Sequence, residues 1–244
     1  MTISASIIVF KHSKFLIGRL VKSLLENGAT KVYILDNSNN QLTKKVRKSY
    51  EYHSLGKNCG FGKGHNYLQN LATNNKFHFV VNPDIEIKTK NILKILALEL
   101  SKRNNAIIIA PKLLYFSGEL QESIRKFPSI HGLFLRKFFK KKYDKLKLDY
   151  DISSIKSVTK VDSVSGAFFA ISNKDYSKLK GFDKIYFMYL EDIDFCRNAN
   201  ELGDILYFPN MEVYHGYEKA SSKSLKLLLI HIISAIKYFL KWKL

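Results

Sequence analysis

Three acidic side chains near residue 190 have types and spacing that suit acid–base chemistry. They belong to Glu191, Asp192 and Asp194, and they follow the apolar run 187–189 (FMY). Neighbouring carboxylates repel one another when ionised, and burial beside apolar groups raises the pKa of at least one of them. Such a carboxylate can accept a proton near neutral pH. The alternative is a helix start, because acids stabilise the positive end of a helix, here one that we expect to run to Leu202.

A further acid, Asp84, follows the apolar run Phe77–Val81, which we predict to be a buried strand. Pro83 ends that strand and presents Asp84 at the carboxyl edge of a sheet. A carboxylate in this position suits a hard divalent cation, which keeps several waters and bridges to phosphates. The alternative is an acid that serves the turn or the start of the next predicted helix, residues 89–102.

A glycine-rich stretch, residues 58–66 (NCGFGKGHN), is a candidate phosphate-binding loop. Glycines at alternate positions let the backbone approach a ligand closely, and the N-terminus of a following helix favours phosphate. The stretch has neither the spacing of the dinucleotide fingerprint nor the Lys-Ser/Thr ending of a P-loop. An ordinary connecting loop is therefore the alternative.

The elements that must position these residues alternate between strand and helix. A strand, a helix and a strand that ends on Asp36 are typical of the start of an open parallel sheet, whose ligand sites lie beyond the carboxyl ends of its strands. We predict strands at residues 5–10, 31–36, 50–55, 77–81, 106–110, 161–171 and 205–208. We predict helices at residues 13–26, 41–49, 66–74, 89–102, 191–202 and 222–244.

Composition places the chain among globular proteins. Its 244 residues, 46% of them hydrophobic, suffice for one domain with a full core. Its two cysteines are too few for a disulfide framework and have no metal-ligand spacing. No basic segment precedes a long apolar run at the start, so we expect no signal peptide and a cytoplasmic location.

The net charge of +19 predicts a polyanionic partner. Nucleic acid, an anionic membrane surface and phosphorylated substrates all fit such a charge. The basic residues concentrate at positions 136–147 (RKFFKKKYDKLK) and from Lys219 to the end, a segment without an acidic residue. A nucleic-acid-binding module without catalysis remains an alternative function, although no recognition helix, stacking motif or zinc site is visible.

Several short motifs occur in an order that resembles the family-2 glycosyltransferases, and the sequence is most similar to the rhamnosyltransferase-like enzymes of bacterial surface polysaccharide assembly. The resemblance runs from Ile7 to about Trp242. In chain order, the motifs are Asp36-Asn37, Asn58-x-Gly-Phe-Gly62-x-Gly-His-Asn66, Asn82-Pro-Asp84, Val164-Ser-Gly166-Ala167, Gly181-Phe-Asp183, Met188-Tyr-x-Glu191-Asp192-x-Asp194 and His215.

This resemblance implies a GT-A fold: an α/β domain in which a Rossmann-like, mostly parallel sheet is flanked by helices and fused to an acceptor-binding half. It implies transfer of a sugar from a nucleotide diphosphate donor with inversion. Asp192 would be the general base, with Glu191 as the second catalytic residue. The implied donor-binding residues are Asp36, Asn58, Gly60, Gly62, Asn66, Asn82 and Arg125. The implied acceptor-binding residues are Gly166, Ala167 and Asp194.

The resemblance also implies a divalent cation, Mg²⁺ or Mn²⁺, bound by Asp84 and His215. Asn82 stands where many of these enzymes have Asp, so Asp84 is the acid that remains in this motif. The implied partners are a nucleotide-sugar donor of the dTDP or UDP type, with rhamnose as the expected sugar, and a saccharide or lipid-linked saccharide acceptor. Nucleic acid is not an expected partner of such an enzyme.

The expected organisation is a glycosyltransferase domain, residues 1–220, followed by a basic amphipathic helix, residues 221–244. Within the domain, residues 1–111 form the donor half and 112–220 the acceptor half. Along the helix, lysines and Ser234 form one stripe opposite a leucine and isoleucine face. The helix is too short and too charged to span a bilayer. It could dock on the domain, or it could lie on the anionic inner face of the membrane.

Overall fold

The computed structural model of the protein describes residues 1–38, 41–216 and 224–244. Helix α1 begins after Ser13, whose hydroxyl accepts a hydrogen bond from the backbone N–H of Leu16, as an N-cap does. The elements of the first half are β1 (Ile3–Val9), α1 (Lys14–Glu26), β2 (Lys31–Asp36), β3 (Leu42–Val46), β4 (Tyr50–Leu55), α2 (Phe61–Leu71), β5 (Phe77–Val81), β6 (Ile85–Ile87) and α3 (Ile92–Lys102).

The second half has shorter strands and helices between two long elements of the sheet. Its elements are β7 (Ala106–Leu114), β8 (Ile124–Arg125), α4 (Ile130–Phe138), α5 (Lys140–Lys145), a 3₁₀ turn (Ile152–Ser154), β9 (Thr159–Lys160), β10 (Ser163–Val164), β11 (Phe168–Ser172), α6 (Asn173–Lys178), α7 (Glu191–Asn200), β12 (Asp204–His215) and α8 (Leu225–Trp242).

Across the described residues, one sheet runs through both halves in the order β3-β4-β2-β1-β5-β11-β7-β12-β6, and β9 pairs with β12. The pairs β4-β2, β2-β1, β1-β5 and β7-β12 are parallel. Strand β11 is antiparallel to both of its neighbours and joins the two parallel parts. The predicted α/β class with a mostly parallel, Rossmann-like sheet is therefore confirmed.

The core of the first half explains why β1 can carry serines. All seven residues of β1 are buried, Ser4 and Ser6 included. Their hydroxyls lie 2.8 Å from the two imidazole nitrogens of His78, and Ser6 also lies 2.7 Å from Nδ1 of His65. Burial lowers the pKa of His78 to about 3, so the imidazole is neutral. The buried polar groups therefore satisfy one another without introducing a charge into the core.

The predicted helix at residues 41–49 is wrong, since this segment contains β3. The strand pairs antiparallel with β4 at the edge of the sheet, from Leu42 opposite Leu55 to Val46 opposite Glu51. The sequence of Leu42–Val46 (LTKKV) has no alternating pattern, and backbone pairing with β4 outweighs its weak helical pattern.

Four predicted boundaries also shift. Helix α2 begins at Phe61 rather than at residue 66, because Gly60 adopts φ +87° as its N-cap. Strand β7 continues beyond residue 110 to Leu114, and its pairing with β12 is irregular just after Pro111. The predicted strand at 161–171 is divided: β10 pairs with β8 in a separate sheet, while β11 enters the main one. Strand β12 extends beyond residue 208 to His215.

Helix α8 docks on the domain through polar and aromatic side chains. Ser234 donates a hydrogen bond to the carbonyl oxygen of Met188 at 2.8 Å. Tyr238 is fully buried, and its hydroxyl oxygen accepts a hydrogen bond from Arg197 at 3.0 Å. Lys237 donates to the carbonyl oxygen of Ile185 at 2.8 Å. Docking on the domain, one of the two arrangements that the sequence left open for this helix, is thus observed.

The outward face of α8 is largely apolar, and of the predicted basic stripe Lys226 is exposed there. Lys237 binds the domain, as does Lys241 further along the helix, whereas Lys219 and Lys223 of the predicted stripe lie outside the described residues. Within the described residues, no helix is long and apolar enough to cross a membrane. The exposed apolar side chains of α8 are Leu225, Leu229, Ile232, Ile233, Ile236 and Leu240.

Candidate functional site

The acids at 191–194 begin helix α7 directly after a strained turn. Tyr189 and Leu190 have φ angles of 72° and 60°, which L-residues rarely adopt. Such strain is frequent at functional sites, where surrounding contacts hold the backbone in place. The turn sets the start of the helix, so it also fixes the direction of each acid in the first turn.

Asp192 lines a small cavity together with Arg125 and Ile193. Its side chain is partly exposed. The Oδ2 atom accepts a hydrogen bond from the backbone N–H of Gly166 at 3.1 Å, and Oδ1 accepts one from Ile193 at 2.9 Å. A half-buried, ionisable carboxylate at a cavity wall has the access that a general base requires.

Glu191 has a different environment from its neighbour. Only 5% of the residue is exposed, and Oε2 is buried without a hydrogen-bond partner in the described chain. Burial, and secondly the charge of Asp192, raise the pKa of Glu191 to about 8. Glu191 is therefore protonated at neutral pH and enclosed by protein. This environment favours a supporting role for Glu191 and leaves Asp192 as the better-placed base.

Asp194 does not face the cavity, contrary to the acceptor role expected for it. The residue is fully buried, and its Oδ2 atom lies 2.8 Å from Nζ of Lys241. Its Oδ1 atom accepts hydrogen bonds from Trp242 Nε1 at 2.9 Å and from Tyr186 at 3.2 Å. Two residues along a helix turn the side chain by about 200°, so Asp194 points away from Asp192. It anchors helix α8 instead.

Asp84 and His215 come together although 131 residues separate them in the chain. His215 Nε2 lies 3.4 Å from Oδ1 of Asp84 and 3.1 Å from the side-chain amide of Asn82. Burial raises the pKa of Asp84, but the hydrogen bond and charge of His215 outweigh it and hold that pKa below its ordinary value. Asp84 is therefore ionised at neutral pH.

Gln121 fixes the orientation of His215. Its amide group donates to the backbone oxygen of His215 at 2.7 Å, and its Oε1 atom lies 3.0 Å from Nδ1 of the imidazole. In the neutral imidazole with its proton on Nδ1, the Nε2 lone pair accepts a hydrogen bond from the side-chain amide of Asn82 and could bind a cation; the protonated imidazole instead brings a positive charge beside Asp84. Such orientation by a second residue is usual for imidazoles that bind metal ions.

The donor set at this place fits a hard divalent cation that shares its coordination with phosphate. Within the described ranges, no group of three or more His, Cys, Asp or Glu side chains gathers as a closed metal site. One carboxylate, from Asp84, and one imidazole nitrogen, from His215, leave most coordination positions to water and substrate oxygens. Cations that act on phosphates are commonly held in this way.

Gly166 and Ala167 connect the two groups of residues. The backbone N–H of Gly166 binds Asp192, and the carbonyl oxygen of Ala167 accepts a hydrogen bond from the backbone N–H of Asn82 at 2.8 Å. A Cβ on Gly166 would lie 3.2 Å from the ring of Phe61 and 3.3 Å from Cβ of Asp192. These two hydrogen bonds and the close packing at Gly166 bring the Asn82–Asp84 turn and Asp192 to the same edge of the sheet.

Asp36 ends β2 at the same edge as β5 and is half-buried. Its carboxylate accepts a hydrogen bond from the backbone N–H of Ser38 at 2.7 Å, and the hydroxyl groups of Ser38 and Tyr52 also donate to it. Tyr52 is a member of this arrangement that the sequence did not indicate, because only the pairing of β2 with β4 brings it near Asp36.

The glycines at 58–66 serve packing more than ligand approach. A Cβ on Gly60 would lie 2.3 Å from the carbonyl oxygen of Phe187, and one on Gly62 would lie 2.7 Å from Cβ of Phe182. The loop is thereby pressed against the segment before α7. Asn58, which is exposed, accepts a hydrogen bond from the backbone N–H of Gly60 at 2.9 Å.

Asn66 links helix α2 to the turn that precedes the acids. Its Nδ2 donates to the carbonyl oxygen of Phe182 at 2.8 Å, while its Oδ1 accepts from Phe182 N at 2.8 Å and from Tyr176 at 2.9 Å. With the amide used in this way, Asn66 supports the site rather than facing a donor.

Arg125 lies on β8, opposite Ser163 of β10, and lines the same cavity as Asp192. Its Nε atom is buried without a hydrogen-bond partner among the residues that the structure describes. The expected phosphate-binding residue is therefore brought close to the expected base.

Comparison with known proteins gives one clear relative. The rhamnosyltransferase WbbL of Escherichia coli strain K12 is 30% identical over 243 residues, which cover 89% of this chain and 87% of WbbL. The sequence matches no protein-family model.

Solved structures with a similar fold have low sequence identity. GalNAc-T7, crystallised with UDP, GalNAc and Mn²⁺, gives a TM-score of 0.66 at 14% identity, covering 89% of this chain and 43% of that one. TarS of S. aureus gives a TM-score of 0.58 at 15% identity, covering 94% of this chain and 39% of that one. This chain thus spans less than half of either structure, and the likeness shows the GT-A fold alone.

WbbL adds what fold similarity cannot, since its identity to this chain extends over most of both sequences. The order of the motifs from Asp36 to His215 predicted the same relationship. The chain therefore belongs to the rhamnosyltransferase-like, family-2 glycosyltransferases of GT-A fold, and it is a glycosyltransferase.

Proposed function

We propose that the protein is an inverting glycosyltransferase that moves a sugar, rhamnose as the best candidate, from a dTDP or UDP donor to a saccharide. The acceptor in this proposal is a lipid-linked or growing saccharide of bacterial surface polysaccharide synthesis, such as O-antigen or capsule. The observation that carries the proposal is the Gly166–Ala167 link, which holds Asp192 and the Asn82–Asp84 turn side by side.

In the proposed reaction, Asp192 removes the proton from an acceptor hydroxyl while that oxygen bonds to the anomeric carbon of the donor sugar. The bond between this carbon and the diphosphate oxygen breaks, and the nucleoside diphosphate leaves with the bonding electrons. Attack from the face opposite the leaving group inverts the anomeric centre. Gly166 positions Asp192 through its backbone N–H, and Ala167 is buried, so the two residues support the base rather than enclose the acceptor.

Asp84 and His215 are the proposed ligands of Mg²⁺ or Mn²⁺. A cation bound there would offset the charge that develops on the leaving diphosphate. Gln121 orients the imidazole of His215, and the side-chain amide of Asn82 contacts its Nε2 atom. Support comes from the donor set itself and from GalNAc-T7, whose structure contains UDP and Mn²⁺.

The nucleoside is proposed to bind beside Asp36, which would accept the N3 proton of uracil or thymine. Tyr52 and the backbone of Ser38 hold the Asp36 carboxylate in place. The loop with Asn58, Gly60 and Gly62 would close this end of the site, and Asn66 would support it. Residues 1–111 then form the donor half and 112–220 the acceptor half, joined by β7, which crosses the boundary between them.

The proposed location is cytoplasmic, at the inner face of the bacterial membrane. The contact differs from the one expected from sequence, because Lys237 and Lys241 bind the domain. The outward face of α8 carries Leu and Ile side chains, among them Leu225 at 73% and Leu240 at 75% exposure. An apolar helix face on a strongly basic protein suits insertion into the interface of an anionic membrane.

Thermal unfolding with candidate ligands tests the proposed donor and metal sites. A dTDP- or UDP-sugar with Mn²⁺ should raise the melting temperature, and Asp84→Ala should require a higher Mn²⁺ concentration for the same rise. Glu86→Ala is the matched control, because Glu86 is an exposed acid two residues away. Stabilisation by short oligonucleotides but not by nucleotide-sugars would instead support the nucleic-acid-binding module.

A screen of donor hydrolysis over dTDP-, UDP- and GDP-sugars then identifies the donor. An unchanged Mn²⁺ requirement in Asp84→Ala would contradict the assignment of Asp84 as a metal ligand.

A further inference from the structure

Two adjoining cavities at the start of helix α7 contain an arginine each. The smaller is lined by Arg125 and Asp192, and the larger, an open cavity of about 70 Å³, is lined by Arg136. Ile193 lines both, so the two cavities adjoin at the start of helix α7. A ligand that occupies both would contact the two arginines and the candidate base together.

The positive charge of these arginines is not neutralised by a salt bridge within the described residues. Arg125 and Arg136 line adjoining cavities, and burial, followed by the charge of Arg125, lowers the pKa of Arg136. Arg125 Nε has no hydrogen-bond partner in the described chain. Two like charges close together and partly desolvated are unfavourable unless an anion binds between them.

Nearby carboxylates are engaged elsewhere. Glu122 forms a salt bridge with Lys140 at 2.6 Å. Asp149 accepts hydrogen bonds from the backbone of Lys126 at 2.8 Å and from the hydroxyl of Tyr143 at 3.1 Å. Asp192 shares the smaller cavity, but both of its oxygens accept backbone hydrogen bonds. Among the charged residues that line the two cavities, Arg125, Arg136 and Lys126 outnumber Asp192.

Other groups at the larger cavity favour an anion as well. Ser129 and Gly132, at the N-terminus of α4, line its wall, and helix N-termini attract negative charge. Lys126 lies on the same wall. The planar guanidinium group can donate to two oxygens of one phosphate at once, as an ammonium group does less well, which points to phosphate as the ligand.

We propose that Arg125 and Arg136 form a subsite for a phosphate group carried by the acceptor. This inference rests on the proposed function, in which the acceptor hydroxyl reacts at Asp192. The cavity adjoins that residue, whereas the donor diphosphate belongs at Asp84 and His215. The reacting hydroxyl and the phosphate would then lie on opposite sides of the acceptor sugar. A lipid-linked saccharide diphosphate and a soluble sugar phosphate share this chemistry.

Binding of glucose 1-phosphate, measured by calorimetry in EDTA, tests the subsite without a metal at Asp84. The wild-type protein should bind it, and Arg125→Gln and Arg136→Gln should each weaken binding by about 10-fold to 100-fold, since a charge-assisted contact is lost. Lys141→Gln is the charge-matched control, because Lys141 is exposed on α5. Equal binding by all four proteins, or none by the wild type, would overturn the proposal.

A second measurement separates the acceptor from the donor. Arg136→Gln should keep wild-type binding of the dTDP- or UDP-sugar with Mn²⁺. If it lost both ligands, the subsite would belong to the donor and the proposal would fail. If the wild type bound no nucleotide-sugar at all, the proposed function would fail, while the glucose 1-phosphate result would still report on the arginines.

The melting temperature of the ligand-free protein tests whether Arg136 has only a structural role. Removing one of two mutually repelling charges should leave the melting temperature of Arg136→Gln equal to or above that of the wild type. A large fall would show that Arg136 holds the fold instead. Arg136→Lys, which keeps the charge but loses the planar fork, should then give intermediate binding.

Vesicles distinguish the two sources of phosphate. Neutral phosphatidylcholine vesicles that carry a polyprenyl diphosphate-linked sugar should recruit the wild type more than Arg136→Gln, if the natural acceptor is lipid-linked. Equal recruitment with normal glucose 1-phosphate binding would assign a soluble phosphorylated acceptor, and equal recruitment without that binding would contradict the subsite.

Discussion

Asp192 and Glu191 are adjacent, yet they differ in the properties that a catalytic base needs. Asp192 is partly exposed at a cavity, whereas Glu191 is enclosed and protonated near neutral pH. Access favours Asp192, and the protonated carboxyl group of Glu191 cannot accept a proton. At the scale of single residues, the site therefore depends on the turn at Tyr189 and Leu190, which directs the carboxylate of Asp192 toward a cavity and that of Glu191 into the protein interior.

Asp192→Asn should abolish transfer while donor binding stays nearly intact. Loss of a positioned base lowers the rate by about 100-fold to 10,000-fold, because the acceptor hydroxyl keeps its proton. Single-turnover kinetics with saturating acceptor measures this fall. Glu191→Gln is the control, since an amide resembles the protonated acid and should retain much more activity. Wild-type turnover in Asp192→Asn would rule out the assignment.

Glu191 should make stability depend on pH in an unusual direction. Its pKa is raised from about 4.5 in the unfolded chain to about 8 in the fold, so the folded state binds the proton more tightly. This contribution is complete below pH 4.5 and is lost as pH rises through about 8. Glu191→Gln should remove that loss.

Melting temperatures between pH 5 and pH 9 check this prediction. The difference between Glu191→Gln and the wild type should grow in favour of the variant as pH rises. A difference that is constant over this range would show that Glu191 does not titrate there.

At the scale of elements, helix α8 joins the catalytic helix α7 through one buried carboxylate. Asp194 contacts Lys241 and Trp242, and Arg197 of α7 lies 4.5 Å from the centre of the Trp242 ring. The α8 helix therefore stabilises the element that carries Asp192. The docking of α8 also explains why its lysine stripe is not entirely exposed to solvent, because Lys241 contacts Asp183 and Asp194 of the domain.

Lys241→Ala should destabilise the fold by about 1 to 3 kcal/mol, because Asp194 would keep its buried charge without a cation beside it. Lys237→Ala is the control, since Lys237 only contacts the exposed carbonyl oxygen of Ile185, and it should cost less than about 0.5 kcal/mol. Urea unfolding of both variants measures the difference. Equal effects would mean that Asp194 does not depend on Lys241.

At the scale of the whole molecule, a net charge of +19 and one apolar helix face define the proposed membrane contact. The face is on the side of α8 opposite Tyr238, so it leaves docking undisturbed. Charge would bring the protein to an anionic surface, and apolar insertion would hold it there. The salt dependence of binding should therefore be incomplete.

Replacing Leu229, Ile233 and Ile236 with Gln should release the protein from anionic vesicles by more than about 10-fold, because each loses about 1 kcal/mol or more of apolar burial. The melting temperature should change little, since these side chains are at least half exposed. Leu98→Gln, an exposed leucine on α3, is the control in vesicle sedimentation. Unchanged binding of the triple variant would rule out this face as the anchor.

The sequence by itself determined the family, the order of the motifs and the main strands. Runs such as Ile3–Val9 and Phe77–Val81 are so uniformly apolar that burial in a parallel sheet is their natural state. Acids at strand ends then fall on one edge, because parallel strands end together. Asp36 and Asp84 could be nominated as site residues on that ground, and Asp192 by its cluster of acids and by the resemblance to the family.

Only the tertiary structure decided what each polar group contacts. The segment with Leu42–Val46 became a strand because β4 offered an edge to pair with, which its own pattern does not reveal. Asp194 turned away from Asp192 because helix α8 supplies its partners. Burial and long-range contacts set these outcomes, and they depend on elements far apart in the chain. Arg125 and Arg136 line adjoining cavities for the same reason.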